Sequence, residues 1–329
     1  MTSHSPRRRD LVDVISSGKR ARSYDIITGI ITTIIMPLTG DEFNCILRSA
    51  SNCAIILLPS MSFPYKKILV IGATSGIGEA LADRFIGNGI SVVAVGRRKE
   101  NLDAFVSRHG NSKASSVVFD VTDHKGTPKF VKQITQQHLD IDCVFLNSGI
   151  QRGFNFGQPE SIDLDLLETE MDTNYTSFLH LTVAFTPFLQ SKSTPAAFIY
   201  TTSGLALVPM ARCPNYCASK AALHHWILTL RDQLAEPPQG RNPISVIEIY
   251  PPAVQTELHD EKHQPDIKNG RSIGMPLKDF TDDSWAQLSA GKDQVPAGFV
   301  KDHFKEGGLE AIRQQKFQGF KEMIKKSGH

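Results

Sequence analysis

The 329-residue chain has almost no net charge, because 36 lysines and arginines stand against 34 aspartates and glutamates. Its basic tracts are no longer than the three arginines at positions 7–9. Proteins that bind nucleic acid usually concentrate positive charge on one face or in one tail. The composition therefore predicts no nucleic-acid partner.

Cysteine is scarce, and neither cysteine nor histidine follows a metal-ligand spacing. The cysteines are odd in number, which argues against a full set of disulfides and favours a reducing compartment. The eleven histidines form no recognisable metal constellation. We expect a cytoplasmic protein without a metal site. The five cysteines are Cys45, Cys53, Cys143, Cys213 and Cys217.

Long apolar runs are also missing. The apolar stretch at 26–38 is shorter than the roughly 20 residues that span a bilayer, so we expect no stable membrane insertion. Arginine and serine near the start suggest a transit peptide, but Asp10, Asp13 and Asp25 argue against one. We expect residues 1–60 to be a poorly structured leader or gene-model extension, with translation starting at Met61. Abundant native peptides from residues 10–50, found by mass spectrometry, would contradict this.

From residue 66 onward, short apolar runs alternate with helix-like segments, which predicts one α/β domain over 61–329 with a doubly wound parallel sheet (Rossmann fold). Ligands of such sheets bind outside the carboxyl ends of the strands. The predicted strands are 68–71, 91–95, 116–119, 142–146, 196–200 and 244–249. The predicted helices are 78–86, 99–107, 127–138, 164–189 and 218–234.

The first strand-to-helix turn is rich in glycine. Glycine permits a tight turn and lets backbone N–H groups approach a pyrophosphate at a helix N-terminus. The GxxxGxG spacing differs from the better known GxGxxG, and a glycine-rich turn also occurs without a ligand. Its place between strand and helix favours a nucleotide. The turn reads Gly72-Ala73-Thr74-Ser75-Gly76-Ile77-Gly78.

The second predicted strand is followed by Arg97-Arg98-Lys99, where no acidic residue is available to hold the ribose 2′-OH of NAD. A guanidinium suits the 2′-phosphate of NADP, because it forms charge-assisted bidentate hydrogen bonds. The alternative is a solvated basic turn. We predict NADP(H), with Arg97 as the main contact and Arg98 as a candidate for stacking on the adenine.

Tyr216 and Lys220 are four residues apart, which on a helix places them on one face with Cβ atoms about 5–6 Å apart. An ammonium 4 Å from the phenol would favour the phenolate by roughly 4 kcal/mol at an effective dielectric of about 20. That would lower the phenol pKa by up to about three, toward the pH at which a general acid or base works best. The alternative is a packed tyrosine and a solvated lysine.

These motifs together resemble the short-chain dehydrogenase/reductase family, in its single-domain branch, over about residues 66–258. The family has the glycine-rich turn, an Asn after the fourth strand, a helix Asn, a Ser and YxxxK in this order. The matching positions are Gly72 to Gly78, Asn147 with Gly149, Asn174, Ser203, and Tyr216 with Lys220.

The resemblance implies a role for each catalytic position. Tyr216 would protonate the carbonyl oxygen in reduction, and Lys220 would lower its pKa and hold the nicotinamide ribose. Ser203 would hydrogen-bond the substrate oxygen, worth roughly 3–4 kcal/mol at best, and Asn174 would support a water relay to Lys220. Alternatives are a turn hydroxyl for Ser203 and a locally bonded helix Asn for Asn174.

The resemblance also implies further cofactor contacts, and the chain departs from the family at three places. Asp120 and Val121 match the adenine-contacting pair, and Val254 and Thr256 match the positions that meet the nicotinamide carboxamide. Asn147 and Gly149 complete the nucleotide site. The departures are Ile71 before the first glycine, Ser148 in the Asn-Asn-Ala-Gly motif, and Pro252 in place of a glycine.

The C-terminal part carries no further motif. We expect residues 256–295 to form a substrate lid, and the apolar stripe at 309–324 to be core or interface.

We predict an NADP(H)-dependent ketone or aldehyde reductase, working in reverse on secondary alcohols. A nucleotide-binding sensor and a nucleotide-sugar epimerase or dehydratase are the alternatives. The family resemblance further implies a homodimer or homotetramer, built through the helices of Asn174 and Tyr216.

Overall fold

The computed structural model describes residues 63–327. The predictions for residues 1–60 and for a start at Met61 therefore lie outside the described residues. Within 63–327, no helix is long and apolar enough to cross a membrane.

The described residues form a parallel sheet of seven strands in the order β3-β2-β1-β4-β5-β6-β7. The order reverses between β1 and β4, and a reversal of this kind opens a crevice at the carboxyl ends of the two strands. The predicted doubly wound fold is confirmed. The strands are β1 Lys67–Ile71, β2 Ser91–Gly96, β3 Ala114–Val118, β4 Cys143–Leu146, β5 Ala197–Thr201, β6 Ser245–Tyr250 and β7 Gln294–Pro296.

Helices connect the strands and cover the sheet. Helix α6 begins with Pro214, whose fixed φ suits the first helical position. Helix α4 begins after Asp163, whose carboxylate accepts the N–H of Leu166 at 3.0 Å. The helices are α1 Gly76–Gly87, α2 Lys99–His109, α3 Thr127–Gln137, α4 Leu164–Met171, α5 Ser177–Gln190, α6 Pro214–Ala235, α7 Leu277–Ser289 and α8 Leu309–Lys326.

The sheet separates two apolar layers, as expected for strands that are apolar on both faces. Phe85, Phe105 and Phe280 are buried in the layer against one face. Phe178 and Ile227 are buried in the layer against the other. Fully burying one such side chain contributes about 1.5–3 kcal/mol, so the layers hold the strand ends rigidly around the crevice.

The helix predicted at 164–189 is not one regular helix. A π-helical turn, Asp172–Thr176, lies between α4 and α5. Single π turns inside helices are rare and occur frequently at functional sites. Apolar periodicity does not reveal such a turn, because the helix continues on both sides of it.

The segment predicted as a lid divides at Met275. Residues 256–275 form a loop with two short 3₁₀ turns, Glu257–His259 and Gly270–Ser272. The end of this loop pairs with the segment that follows β6, where Val254 bridges Met275. The rest is core, because α7 buries Phe280 and β7 pairs with β6. A lid therefore remains a prediction for 256–275 only.

The apolar stripe predicted at 309–324 lies on α8 but does not enter the core of the described chain. Phe320 and Met323 are each 58% exposed. The buried residue of α8 is instead Glu310. Whether the stripe is an interface stays a prediction.

Candidate active site

The glycine-rich turn lies at the reversal of strand order. Gly72 has φ +91°, and a Cβ on it would lie 2.7 Å from the backbone N of Ser148, at the end of β4. A Cβ on Gly78 would lie 2.0 Å from the carbonyl O of Gly72. The turn is thus packed so closely that no side chain fits at either position.

We expect Gly78→Ala to weaken NADPH binding at least tenfold and to lower the Tm, because the turn must open to admit the methyl group. Gly87→Ala is the matched control on the same helix, since a Cβ there meets nothing within 4 Å. Cofactor titration and thermal unfolding of both variants check this. Equal behaviour of the two variants would contradict it.

The two arginines after β2 are in different environments. Arg98 donates hydrogen bonds to Thr74 Oγ1 at 2.8 Å and Ser75 Oγ at 2.6 Å, and it pairs with Glu257 at 2.5 Å. The Arg97 side chain is 68% exposed, and its nearest carboxylate oxygen, on Asp120, is 3.7 Å away. The guanidinium of Arg98 is therefore already hydrogen-bonded to the glycine-rich turn. The guanidinium of Arg97 is more exposed and has more N–H groups available for a ligand.

Asn147 joins the ends of three strands. Its Nδ2 donates to the carbonyl O of Gly72 at 3.3 Å, and its Oδ1 accepts the hydroxyl of Thr201 at 2.8 Å. The side chain therefore holds β1, β4 and β5 together beneath the crevice. Thr201 could not be predicted as a site residue, because a threonine at a strand end gives no separate signal.

Asn174 lies in the π turn and is fully buried. Its amide holds Ile150 twice, accepting from the backbone N at 2.9 Å and donating to the backbone O at 2.9 Å. Its Nδ2 also donates to Ser219 Oγ at 3.1 Å. The side chain thus fixes the loop after β4 against α6, and the predicted water relay to Lys220 stays a prediction.

Tyr216 and Ser203 are brought together across the crevice. Both residues line the same cavity, and the Ser203 hydroxyl accepts the N–H of Leu205 at 3.0 Å. Burial raises the pKa of Tyr216, and the neighbouring Ser203 hydroxyl lowers it by less. The phenol is therefore protonated at neutral pH, opposite in direction to the shift expected from sequence.

Lys220 is also buried, and its Nζ donates to the carbonyl O of Thr201 at 2.9 Å. The Nζ lies 5.8 Å from the ring centroid of Tyr216. Burial lowers the pKa of Lys220 to about 8. The ammonium is therefore charged at neutral pH while its proton is held weakly.

Most predicted site residues line one cavity of about 1130 Å³. Gly78 and Asn174 do not line the cavity, because both lie behind the residues that form its wall. Thr256 closes over Gly76, and a Cβ on that glycine would lie 3.3 Å from the threonine. The predicted residues in the wall are Gly72, Thr74, Ser75, Gly76, Ile77, Arg97, Arg98, Asp120, Val121, Asn147, Gly149, Ser203, Tyr216, Lys220, Val254 and Thr256.

A buried charged cluster that no sequence motif predicts lies behind this cavity. His224 Nδ1 is 2.9 Å from Glu248 Oε1, and its Nε2 is 3.2 Å from Glu310 Oε2. These three side chains are fully buried. Thr202, next to Ser203, donates to Glu248 at 2.7 Å. The pairs His224–Glu248 and His224–Glu310 are 24 and 86 residues apart, so no local spacing reveals them.

The residues of the crevice fit a dinucleotide. The glycine turn follows β1 and opens the N-terminus of α1, which favours phosphate. Arg97 and Arg98 lie just after the next strand. Among the described residues, no group of three or more His, Cys, Asp or Glu side chains is arranged so that it could hold a metal ion.

Comparisons with known proteins agree with this arrangement. A family model for short chain dehydrogenases matches residues 66–266. The uncharacterized oxidoreductase DltE of Bacillus subtilis is 30% identical over 237 residues, which are 71% of this chain and 89% of that protein. Serine 3-dehydrogenase of Rhizobium radiobacter is 33% identical over 191 residues, covering 58% and 73% of the two chains.

A solved structure of a short chain dehydrogenase is also similar to this chain. The chain is similar to a short chain dehydrogenase from Burkholderia cenocepacia in complex with NADP, with 26% identity and a TM-score of 0.61. The similarity covers 77% of this chain and 96% of that one. The chain therefore belongs to the short-chain dehydrogenase/reductase family of oxidoreductases.

Proposed function

We propose that this oxidoreductase transfers hydride between NADPH and a ketone or aldehyde, or from a secondary alcohol in reverse. The observation that carries the proposal is that Ser203, Tyr216, Lys220 and the glycine turn all line one cavity. NADPH would supply the hydride. The chain's own residues would orient the carbonyl and deliver the proton.

Tyr216 is suited to act as the general acid. Its buried phenol retains its proton at neutral pH, because burial raises its pKa. The hydroxyl of Ser203 lies beside it and would donate a hydrogen bond to the substrate oxygen as negative charge develops there. Loss of the phenol proton would leave a phenolate within reach of the same hydroxyl.

Lys220 and Asn174 would support this pair. The ammonium of Lys220 is held against Thr201 and would bind the hydroxyls of the nicotinamide ribose. Asn174 would keep the loop after β4 in place. The residues proposed to hold the cofactor are Gly72, Thr74, Ser75, Gly76, Ile77, Gly78, Arg97, Arg98, Asp120, Val121, Asn147, Gly149, Tyr216, Lys220, Val254 and Thr256.

The proposal is tested by following NADPH oxidation by the full chain at 340 nm with a panel of ketones and aldehydes. Turnover supports a reductase. Tight NADPH binding without turnover on any carbonyl compound would favour the sensor alternative instead. Turnover confined to nucleotide-linked sugars, with no net cofactor consumption, would favour the epimerase alternative.

We expect higher kcat/KM with NADPH than with NADH, and a loss of about 10–100-fold in the NADPH value for Arg97→Gln. The exposed guanidinium would form charge-assisted bonds to the 2′-phosphate, and each such bond contributes about 1.5–3 kcal/mol. The NADH value should stay within about threefold. Lys99→Gln is the control, because Lys99 pairs with Asp103 on α2. Equal use of both cofactors by the unaltered protein would contradict NADP selectivity.

Assembly and location remain predictions. We propose a homodimer or homotetramer through the helices of Asn174 and Tyr216, and sedimentation as a monomer would contradict it. A cytoplasmic location is likewise expected, and cell fractionation tests it.

A further inference from the structure

The carboxylates in the wall of the cavity are already neutralised. Seven lysines and arginines line the cavity, against three carboxylates. Each carboxylate has an arginine as its partner, so none of them compensates the remaining cations. The pairs are Arg97 with Asp120 at 3.7 Å, Arg98 with Glu257 at 2.5 Å and Arg212 with Asp266 at 2.6 Å.

Four cations in the wall are left without a carboxylate within 4.0 Å among residues 63–327: Arg152, Lys220, Lys262 and Lys268. Lys220 is already assigned to the reacting centre. Lys262 and Lys268 are exposed on the loop between β6 and α7. Arg152 differs from both, because it is half-buried and burial lowers its pKa. It is thus a partly desolvated guanidinium without a carboxylate partner within 4.0 Å, although the charge of Glu170 opposes the effect of burial on its pKa.

The backbone around Arg152 is fixed beside the reacting centre. Its N–H donates to Glu170 Oε1 at 2.7 Å, and the preceding Gln151 donates to Cys213 Sγ at 3.2 Å. Cys213 immediately precedes α6, three residues before Tyr216. The backbone of Arg152 therefore lies close to the N-terminus of α6, the helix that carries Tyr216.

Arg152 also lies apart from the arginines proposed for the cofactor. A second cavity, of about 590 Å³, shares Arg152, Arg212, His263 and Asp266 with the first and contains neither Arg97 nor Arg98. Arg152 thus lies where the two cavities meet, among residues of the loop between β6 and α7. Among residues 63–327, the guanidinium of Arg152 donates only to the Gln151 carbonyl, at 2.7 Å, so most of its N–H groups have no partner in the described part of the chain.

We propose that the substrate is an anionic carbonyl compound whose oxyanion group, a carboxylate or a phosphate, is bound by Arg152. The inference rests on the proposed reductase function and deepens it. The planar guanidinium matches either oxyanion through two parallel hydrogen bonds. Lys262 and Lys268 add positive potential at the entrance and favour the approach of an anion.

The test compares carbonyl pairs that differ in one charged group, using the full chain and NADPH. The pairs are 3-oxobutanoate with its methyl ester, and dihydroxyacetone phosphate with dihydroxyacetone. We expect one anionic compound to be preferred at least tenfold in kcat/KM. A preference within the first pair assigns a carboxylate, and one within the second pair a phosphate.

Arg152→Met should remove that preference by lowering kcat/KM for the anion about 10–100-fold, mainly through KM. The neutral compound of the pair should change less than about threefold, which also shows that the variant is folded. Arg152→Lys should give an intermediate kcat/KM for the anion, because lysine keeps the positive charge but cannot form two parallel hydrogen bonds to one oxyanion. Arg241→Met is the matched control, since Arg241 lies outside both cavities and bonds Gln190 at 3.0 Å.

A preference for the neutral compound in both pairs, or equal values for Arg152→Met and the unaltered protein, would overturn the inference and leave the reductase intact. If no compound is reduced, calorimetric titration of the anions into the NADP⁺ complex decides separately. Binding that Arg152→Met abolishes would uphold the anion site, and binding indifferent to Arg152 would reject it. The reductase is decided separately, by NADPH oxidation with the wider panel of ketones and aldehydes.

Discussion

Tyr216→Phe is expected to lower kcat by about a thousandfold while NADPH binding weakens less than tenfold. A positioned general acid contributes about 10²–10⁴-fold, and the substitution removes the proton and little else. The ring keeps its packing against Cys213, Cys217 and Leu205. Ser203 still accepts the N–H of Leu205, so the turn that carries it should remain in place.

Tyr175→Phe is the matched control for this prediction. It makes the same chemical change at a tyrosine in the π turn that does not line the cavity. Steady-state kinetics and a fluorescence titration of NADPH separate catalysis from binding. Turnover retained by Tyr216→Phe would mean that the proton comes from another group.

Glu310→Ala should lower the free energy of unfolding by about 3–5 kcal/mol, the usual result of removing one partner of a buried ion pair. Both ring nitrogens of His224 face carboxylate oxygens, an arrangement that only the imidazolium satisfies with two donors. Without Glu310, one of these donors loses its partner in a dry interior. Glu322→Gln, at an exposed position of α8, is the control and should change stability by less than about 0.5 kcal/mol.

The same cluster predicts how stability depends on pH. The carboxylates of Glu248 and Glu310 raise the pKa of His224 from 6.5 to about 9, against the opposing effect of burial. Between these values the folded state binds more protons than the unfolded state, so the stabilisation is complete below pH 6.5 and is lost as pH rises toward 9. Near this group, Tyr250 also bonds Glu248 and Arg313 pairs with Glu310.

His224→Gln tests the pH prediction. Urea unfolding of the unaltered protein at pH 6.5 and pH 9 should show a loss on the order of 3 kcal/mol, which the variant should lack. Burial alone would raise the pKa of Glu310, but the hydrogen bond to His224 and the charge of His224 outweigh this effect, so the pKa is lowered. Its own contribution is therefore lost at the acid end, below about pH 4.5. An equal dependence of both proteins between pH 6.5 and 9 would mean that His224 is neutral in the folded state.

Six of the strands could be located from the sequence because each is an apolar run closed by turn residues. β7 could not, since it has three residues and one of them is Pro296. It forms only because β6 offers it an edge to pair with. The position of the crevice could be predicted from the strand order. That order is largely determined by the right-handed connections between parallel strands.

The side chains of the site were predictable where a motif fixes their order, as with Ser203, Tyr216 and Lys220, which do line one cavity. Their protonation states were not. The direction of the pKa shift of Tyr216 depends on burial, and burial depends on packing among elements that are distant in sequence. The same reason hides Glu310 and Arg152, whose environments are set by contacts outside their own segments.

The π turn has a consequence for the comparison of related chains. A π turn holds one residue more than the α-helical turn that it replaces. Deleting one residue between α4 and α5 would therefore give a continuous α-helix and leave the sheet unchanged, while rotating position 174 away from Ile150. A one-residue gap at this point in an alignment would thus mark the loss of a loop anchor, and not a harmless difference in length.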